Sequence, residues 1–281
     1  MPSMPLTLAP ASSFTPDDLA AVWRQAYDGY YVPLAFDAEQ LMRHVTWSGI
    51  DLALSVVGHM DNRAFGLSLV ARDGDRAWIG GFGVAPAFRR KGLATQLMQG
   101  HAERLDAAGI GSTRLEVIDV NPAAEVYRRA GFVETRTLDV WSGELPEAGR
   151  TFEALELDDL AEAHPRLHGV EPSWRRGLKR LRLILADQPE ARVLGVRRDG
   201  RVVAFAIILD LPDRFGLFDA AAQDLEAARD LIAALAAERP AAQIRLVDER
   251  EGSPVAEALA EQGFTVGMRQ FEMTRLAFAA A

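Results

Sequence analysis

The sequence contains no cysteine. That excludes disulfides, thiolate metal sites and a cysteine nucleophile. Histidine is also scarce, with five in 281 residues. His164 and His168 stand four apart, but Pro165 between them is expected to interrupt the helix and no further ligands cluster in the sequence. No metal is therefore expected. No apolar run approaches the length of a membrane span, so no membrane partner is expected. The opening Met1-Pro2-Ser3-Met4-Pro5 lacks a basic segment followed by a long apolar one, which argues against a secretory signal and for a cytoplasmic protein. Positive charge is in deficit, with 31 Lys and Arg against 40 Asp and Glu, a net charge of −9 and a pI of about 5.2. A surface of that sign does not suit nucleic acid. Gly80-Gly81-Phe82-Gly83 lacks the spacing of a dinucleotide fingerprint, and no P-loop is present.

What remains is ordinary globular composition, 49% hydrophobic and 25% charged, in a chain long enough for two domains. One stretch stands out, Phe82-Gly83-Val84-Ala85-Pro86-Ala87-Phe88-Arg89-Arg90-Lys91-Gly92-Leu93-Ala94-Thr95. It reads as the end of an apolar strand, a proline turn, three basic residues and a glycine at a helix start. The first-turn N–H groups of a helix have no internal partners, and its dipole favours negative charge there. Gly92 has no Cβ to hold a phosphate away. The stretch is therefore a candidate anion site, with Arg89, Arg90 and Lys91 adding charge at its rim.

Arg89-x-x-Gly92-x-Ala94 in this setting resembles the pyrophosphate-binding signature of the GNAT acyltransferases. The surrounding pattern fits that family over about residues 6–143. Thr15-Pro16-Asp17-Asp18 is a helix start, and Asp37 begins a second helix. Asp51–Val57, Ala64–Val70 and Arg76–Val84 read as a three-stranded meander with turns at Asp61-Asn62-Arg63 and Asp73-Gly74-Asp75. A helix from Ala94, a strand at Arg114–Ile118, a helix from Pro122 and a last strand from Phe132 follow. The expected fold is α/β (α+β), a mixed and mostly antiparallel central sheet flanked by helices.

The resemblance implies acetyl-CoA as cosubstrate and an amine as acceptor. It implies that the backbone of Phe82, Gly83 and Val84 holds the pantetheine arm and the thioester oxygen. The N–H groups of Arg90, Lys91, Gly92, Leu93, Ala94 and Thr95 would hold the pyrophosphate. Tyr127, in Tyr127-x-x-x-Gly131-Phe132, matches the position of the family's general acid. A core-packing tyrosine is the alternative. Glu116, in Leu115-Glu116-Val117, resembles the base of N-terminal-alanine acetyltransferases, with Asp119 as the local alternative and a structural carboxylate as the plain one. Asn121 would contact CoA. The family usually spaces this Asn and Tyr by seven residues and here they are six apart, which puts that contact in question. Tyr27, Tyr30, Tyr31 and Phe36 fall in the loop that lines the acceptor site in the family. Asp28 and Asp51 could attract a cationic amine or serve as a turn residue and a strand cap.

Leu145-Pro146-Glu147-Ala148-Gly149-Arg150 reads as a linker, dividing the chain into residues 1–145 and 151–281. The second part repeats the first faintly. Asp199-Gly200-Arg201 follows Asp61-Asn62-Arg63 by 138 residues, and Asp213-Arg214 follows Asp75-Arg76 by the same offset. The helix at Pro254–Gln262, with Gly263-Phe264 after it, follows its counterpart at Pro122 by only 132. Duplication is the expectation. The missing six residues fall where the first copy has its Arg-Arg-Lys-Gly loop. In place of the loop stands Ala220–Ala227, with acids and no glycine, so the second copy is expected to be degenerate and without a cofactor site. Its expected jobs are completing a substrate cleft, covering a sheet edge or pairing two chains, in a monomer or homodimer. Trp174–Arg182 reads as a basic helix, with a solvated face as its plain reading and charge toward the 3′-phosphate of CoA or an acidic partner as the alternative. The functional expectation is an N-acetyltransferase. The alternatives are a non-catalytic acyl-CoA-binding or regulatory protein and, third, a dimerisation module.

Overall fold

The computed structural model describes residues 6–147, 152–211 and 214–277. Ala148–Arg150 of the expected linker and Asp213 of the repeat lie outside them. The chain divides into two compact units. One is Met1–Thr135 with Glu272–Ala281, the other Arg136–Phe271. Both are built from helices and mostly antiparallel strands, the expected fold class. No described helix is long and apolar enough to cross a membrane.

The first unit runs β1 (Thr7–Pro10), α1 (Pro16–Ala26), α2 (Ala38–Ser48), β2 (Val56–Met60), β3 (Arg63–Asp73), β4 (Arg76–Val84), α3 (Leu93–Ala107), β5 (Ser112–Ile118) and α4 (Ala123–Arg129). The helix starts fall where the capping residues are. The Thr15 hydroxyl accepts from Asp18 N–H at 3.2 Å, and Asp37 and Gln40 form a capping box, each satisfying donors that a helix leaves open. Strands β1 to β4 are antiparallel neighbours. Leu19, Trp23, Leu41, Phe65, Leu67, Leu69, Leu97 and Leu105 form the buried interior.

One expected strand is shorter. Asp51 to Leu54 form a turn, because the Asp51 carboxylate accepts from the N–H groups of Ala53 and Leu54 at 2.9 and 3.1 Å. Such a local bond competes with a strand ladder. Asp51 is thereby a turn residue.

The pairing of β4 with β5 positions the site. It is parallel, matches Arg76, Ala77 and Trp78 to Ser112, Thr113 and Arg114, and stops there. Gly80 to Val84 continue along β3 alone. Their outer edge is left to side chains.

The second unit includes the later part of β6 (Val133–Glu144), then β7 (Glu153–Ala154), α5 (Leu157–His168), α6 (Leu178–Asp187), β8 (Arg192–Arg198), β9 (Arg201–Leu211), β10 (Arg214–Ala222), α7 (Leu225–Glu238), β11 (Gln243–Arg250) and α8 (Pro254–Glu261). The last strand, β12 (Thr265–Leu276), begins in this unit and ends in the first. Strands β6 and β12 each give residues to both units, so a linear cut at 145–151 misses the division. From β7 the element order repeats that from β1, and β9 and β10 match β3 and β4 in length at an offset of 138.

Two expectations for this unit are corrected. Helix α5 runs through Pro165 to His168 and ends at Gly169, whose φ is 68°. Proline removes one helical bond and crowds the preceding turn, but here the helix continues. Residues 174–182 are not one basic helix. Trp174–Arg176 form a 3-10 turn, Gly177 ends it and α6 follows. Arg176 is buried rather than solvated, at 3% exposure.

Candidate active site

The loop from β4 to α3 has the backbone geometry of an anion cradle. Arg90 and Gly92 take positive φ, 60° and 76°. Gly92 is the N-cap of α3 and brings no side-chain acceptor. The first bond of the helix ladder is Gln96 N–H to Gly92 O at 3.2 Å, so the N–H groups of Leu93, Ala94 and Thr95 have no turn before them to bond. The space at Gly92 is open, since an added Cβ would meet only Gln96 Nε2, at 3.8 Å. This backbone fits a diphosphate without invoking the basic side chains.

Two of those side chains, Arg89 and Lys91, do other work. The Arg89 guanidinium donates to three carbonyl oxygens, Val84 at 2.8 Å, Ala26 at 3.1 Å and Asp28 at 2.7 Å. It ties the cradle to the end of α1 and is a positioning group, not a rim charge. Lys91 Nζ donates to Ala87 O at 2.8 Å and lies over the Phe88 ring.

The β4 edge abandoned by β5 is met by three side chains. His44 Nε2 lies 3.0 Å from Gly80 O, the Phe82 N–H donates to the Tyr27 hydroxyl at 3.0 Å, and Arg89 takes Val84 O. Tyr27 is clamped by Trp23, with ring centroids 4.3 Å apart, and by Tyr30, edge-on at 5.1 Å. Burial pushes its phenol above the usual range, the neighbouring Tyr30 adds to that, and the Phe82 N–H pulls back. Gly81 and Gly83 admit α1 closely. A Cβ would come within 2.4 Å of the Trp23 ring at Gly81 and 3.0 Å of Ala26 at Gly83.

Tyr127 reaches this edge from α4. It is buried, 5.5 Å from the Phe82 ring and 6.0 Å from that of Phe132. Burial raises its pKa well above 10, and Tyr27 and Tyr30 raise it further. It is a protonated phenol at neutral pH, fit to donate.

The loop after α1 reaches the other strand as well. The Tyr31 hydroxyl donates to Val120 O, just past β5, at 3.2 Å. Phe36 stacks on Trp23 at 5.4 Å. Phe82, Tyr27, Tyr30 and Tyr127 are thus brought together. Phe36 serves the packing behind Tyr27. Asp28 lends its backbone carbonyl to Arg89.

Three expected residues are engaged elsewhere. Glu116 Oε2 accepts from Trp78 Nε1 at 2.8 Å. The Asn121 amide oxygen accepts from the N–H of Ala123, the first residue of α4, at 2.9 Å. Asp119 accepts from Val120 N–H at 2.7 Å. Trp23, His44 and the Tyr27–Phe82 bond were not foreseen. The signal for the first was available, since Trp23 and Tyr27 are four apart and share a helix face.

The matching place in the second unit is built differently. Helix α7 is capped by Asp224, whose carboxylate accepts from Ala227 N–H at 2.8 Å. An acid stands where the first unit offers bare N–H groups. The Arg176 guanidinium bonds Ala220 O on β10 at 2.6 Å and Asp248 O on β11 at 3.0 Å. It pairs with Asp219 at 2.6 Å and Glu249 at 2.8 Å. This buried arginine and its carboxylates fill the gap between the two strands.

Residues 11–132 match the model of the acetyltransferase (GNAT) family. No curated protein matches the chain. Among solved structures, a GCN5-related N-acetyltransferase from Sphaerobacter thermophilus is 16% identical, with 99% of this chain and 98% of that one covered and a TM-score of 0.69. Another from Anabaena variabilis is 16% identical over 98% of this chain and 73% of that one, at 0.65. A tandem GNAT protein from the clavulanic acid biosynthesis pathway is 13% identical over 99% and 100%, at 0.68. Residues 11–132 therefore carry the sequence pattern of the GNAT acetyltransferase family, and the chain has the fold of GNAT proteins.

Proposed function

We propose that the chain is an acyl-CoA-dependent N-acyltransferase that moves an acetyl group from acetyl-CoA to a primary amine. Its chemistry is confined to the first unit, and the second unit is a degenerate tandem copy. The observation that carries this reading is the contrast between two helix starts. Gly92 leaves the mouth of α3 open to an anion, while Asp224 closes α7 with a carboxylate.

In this reading the N–H groups from Arg90 to Thr95 hold the pyrophosphate, and the β4 edge from Phe82 to Val84 orients the thioester arm. The Phe82 N–H, with Tyr27 beside it, stabilises charge on the thioester oxygen. The amine nitrogen attacks the carbonyl carbon, the C–N bond forms and the C–S bond breaks. Tyr127 supplies a proton to the departing sulfur, and Glu116, through water, takes one from the amine. Tyr30 and Tyr31 line the acceptor side.

A second reading, acyl-CoA binding without transfer, draws on two bonds. Phe82 N–H is already given to Tyr27, and Glu116 is given to Trp78. The two readings separate in one assay. The protein is incubated with acetyl-CoA and a panel of amines, from polyamines to peptides with free N-termini, and CoA thiol and acetylated product are both quantified. Equal amounts of thiol and acetyl-amine with at least one acceptor are expected. Tight acetyl-CoA binding with no acceptor-dependent release would establish the second reading.

A further inference from the structure

We propose that His164, His168 and Asp219 of the second unit bind a divalent transition-metal ion, with zinc the best chemical match. The histidines are four apart on α5 and so share one helix face. Asp219 comes from β10. His168 Nε2 lies 3.0 Å and His164 Nε2 3.5 Å from the same oxygen, Asp219 Oδ2, and the three donor atoms all lie within 4.8 Å of one another. Tetrahedral zinc with bonds of about 2.0–2.1 Å spaces its ligands roughly 3.3 Å apart. The two measured edges bracket that value. In the metal-free arrangement His164 Nε2 is instead at hydrogen-bond distance from the Arg176 carbonyl oxygen, 2.9 Å.

The surroundings divide the carboxylate in the way a metal ligand requires. Oδ1 takes Arg176 Nε at 2.6 Å and the Ala220 N–H at 2.9 Å. Oδ2 faces the imidazoles. Outer hydrogen bonds of this kind fix a ligating carboxylate and hold it ionised. Arg176 is not left as an uncompensated cation beside the ion, because Glu249 pairs with it and Asp248 pairs with Arg175 at 2.6 Å. The Phe205 ring, 5.8 and 6.0 Å from the two imidazoles, walls the cluster on an apolar side.

A fourth donor is within reach, the Arg176 carbonyl oxygen, 2.9 Å from His164 Nε2. His168 also lines a cavity of about 30 Å³, shared with Ser173 and Arg136, that has room for a water. Donors of two imidazole nitrogens and one or two oxygens suit zinc over calcium or magnesium. The ion would tie α5 to β10.

The competing account is a hydrogen-bonded cluster with no affinity for metal, and spectroscopy separates the two. The full chain is treated with a chelator, shown to remain folded, and titrated with Co²⁺ alone. Ligand-field bands of tetrahedral strength saturating at one equivalent are expected, with displacement by Zn²⁺. His168→Gln should weaken binding tenfold or more, and Asp219→Asn should do the same. A parent protein that stays folded and gives no bands overturns the proposal, as do bands unchanged in a folded His168→Gln variant. Because the parent titration decides alone, a variant that fails to fold leaves the test intact. Neither result bears on acetyl-CoA binding by the first unit.

Discussion

Replacing Gly92 by aspartate is expected to weaken acetyl-CoA binding at least a hundredfold. Two electrostatic effects add, at a residue whose φ of 76° aspartate tolerates better than most side chains. The new carboxylate puts a negative charge at a helix start chosen for its lack of one, against a doubly charged diphosphate. It also supplies an acceptor for the first-turn N–H groups, as Asp224 does for Ala227 in α7. A hundredfold loss corresponds to about 2.7 kcal/mol, within reach of these terms together. The fold should survive, because no backbone crowds the site and the nearest atom to an added Cβ is the tip of a glutamine. Calorimetric titration of a variant with an unchanged circular dichroism spectrum is the check. Unaltered affinity would show that the cradle is an ordinary strand-to-helix turn.

Tyr127→Phe is expected to lower turnover by a factor of about 100 or more while leaving acetyl-CoA affinity within threefold, the usual scale of a general acid's contribution. The ring contacts with Phe82 and Phe132 do not involve the hydroxyl, so packing persists. The phenol's raised pKa keeps it protonated across any practical assay pH, so parent turnover should show no alkaline loss from this group below about pH 10. Steady-state kinetics beside binding data separate the possibilities. Equal losses in turnover and affinity would make Tyr127 a packing residue.

The fold was legible because its punctuation is local. Thr15, Asp37, Gly92, Gly131 and the turns at Asp61 and Asp73 each mark an element end by backbone chemistry that acts over a few residues. Strand β2 was misplaced because the Asp51 turn depends on where one carboxylate points. The unit boundary was misplaced because β6 and β12 are paired by partners far away in sequence. No local signal records that exchange.

The site was legible in its backbone and less so in its side chains. Gly92 and the bare helix start follow from residue type alone. That Arg89 serves three carbonyls depends on the bend of the chain around Ala26 and Asp28. That Tyr27 meets the Phe82 N–H depends on β5 leaving β4 after Trp78. Pro165 was given too much weight. One proline costs a helix a bond, and packing of Leu160, Ala163 and Leu167 in the second unit's core carries α5 past it. With the helix continuous, His164 and His168 come to one face and meet an aspartate 51 residues on from His168.

The two units also respond differently to the same problem. Each has a β-strand whose far edge is paired only in part or not at all. The first meets that edge with an imidazole, a phenol and an arginine, and keeps an open helix start beside it. The second meets it with a buried arginine among carboxylates and caps its helix with an acid. Titration of the whole chain with acetyl-CoA in a calorimeter tests this asymmetry most directly. One mole of acetyl-CoA bound per mole of chain is expected, with the signal lost in Gly92→Asp. Two moles per chain, or one mole retained in that variant, would contradict a cofactor site confined to the β4–α3 loop.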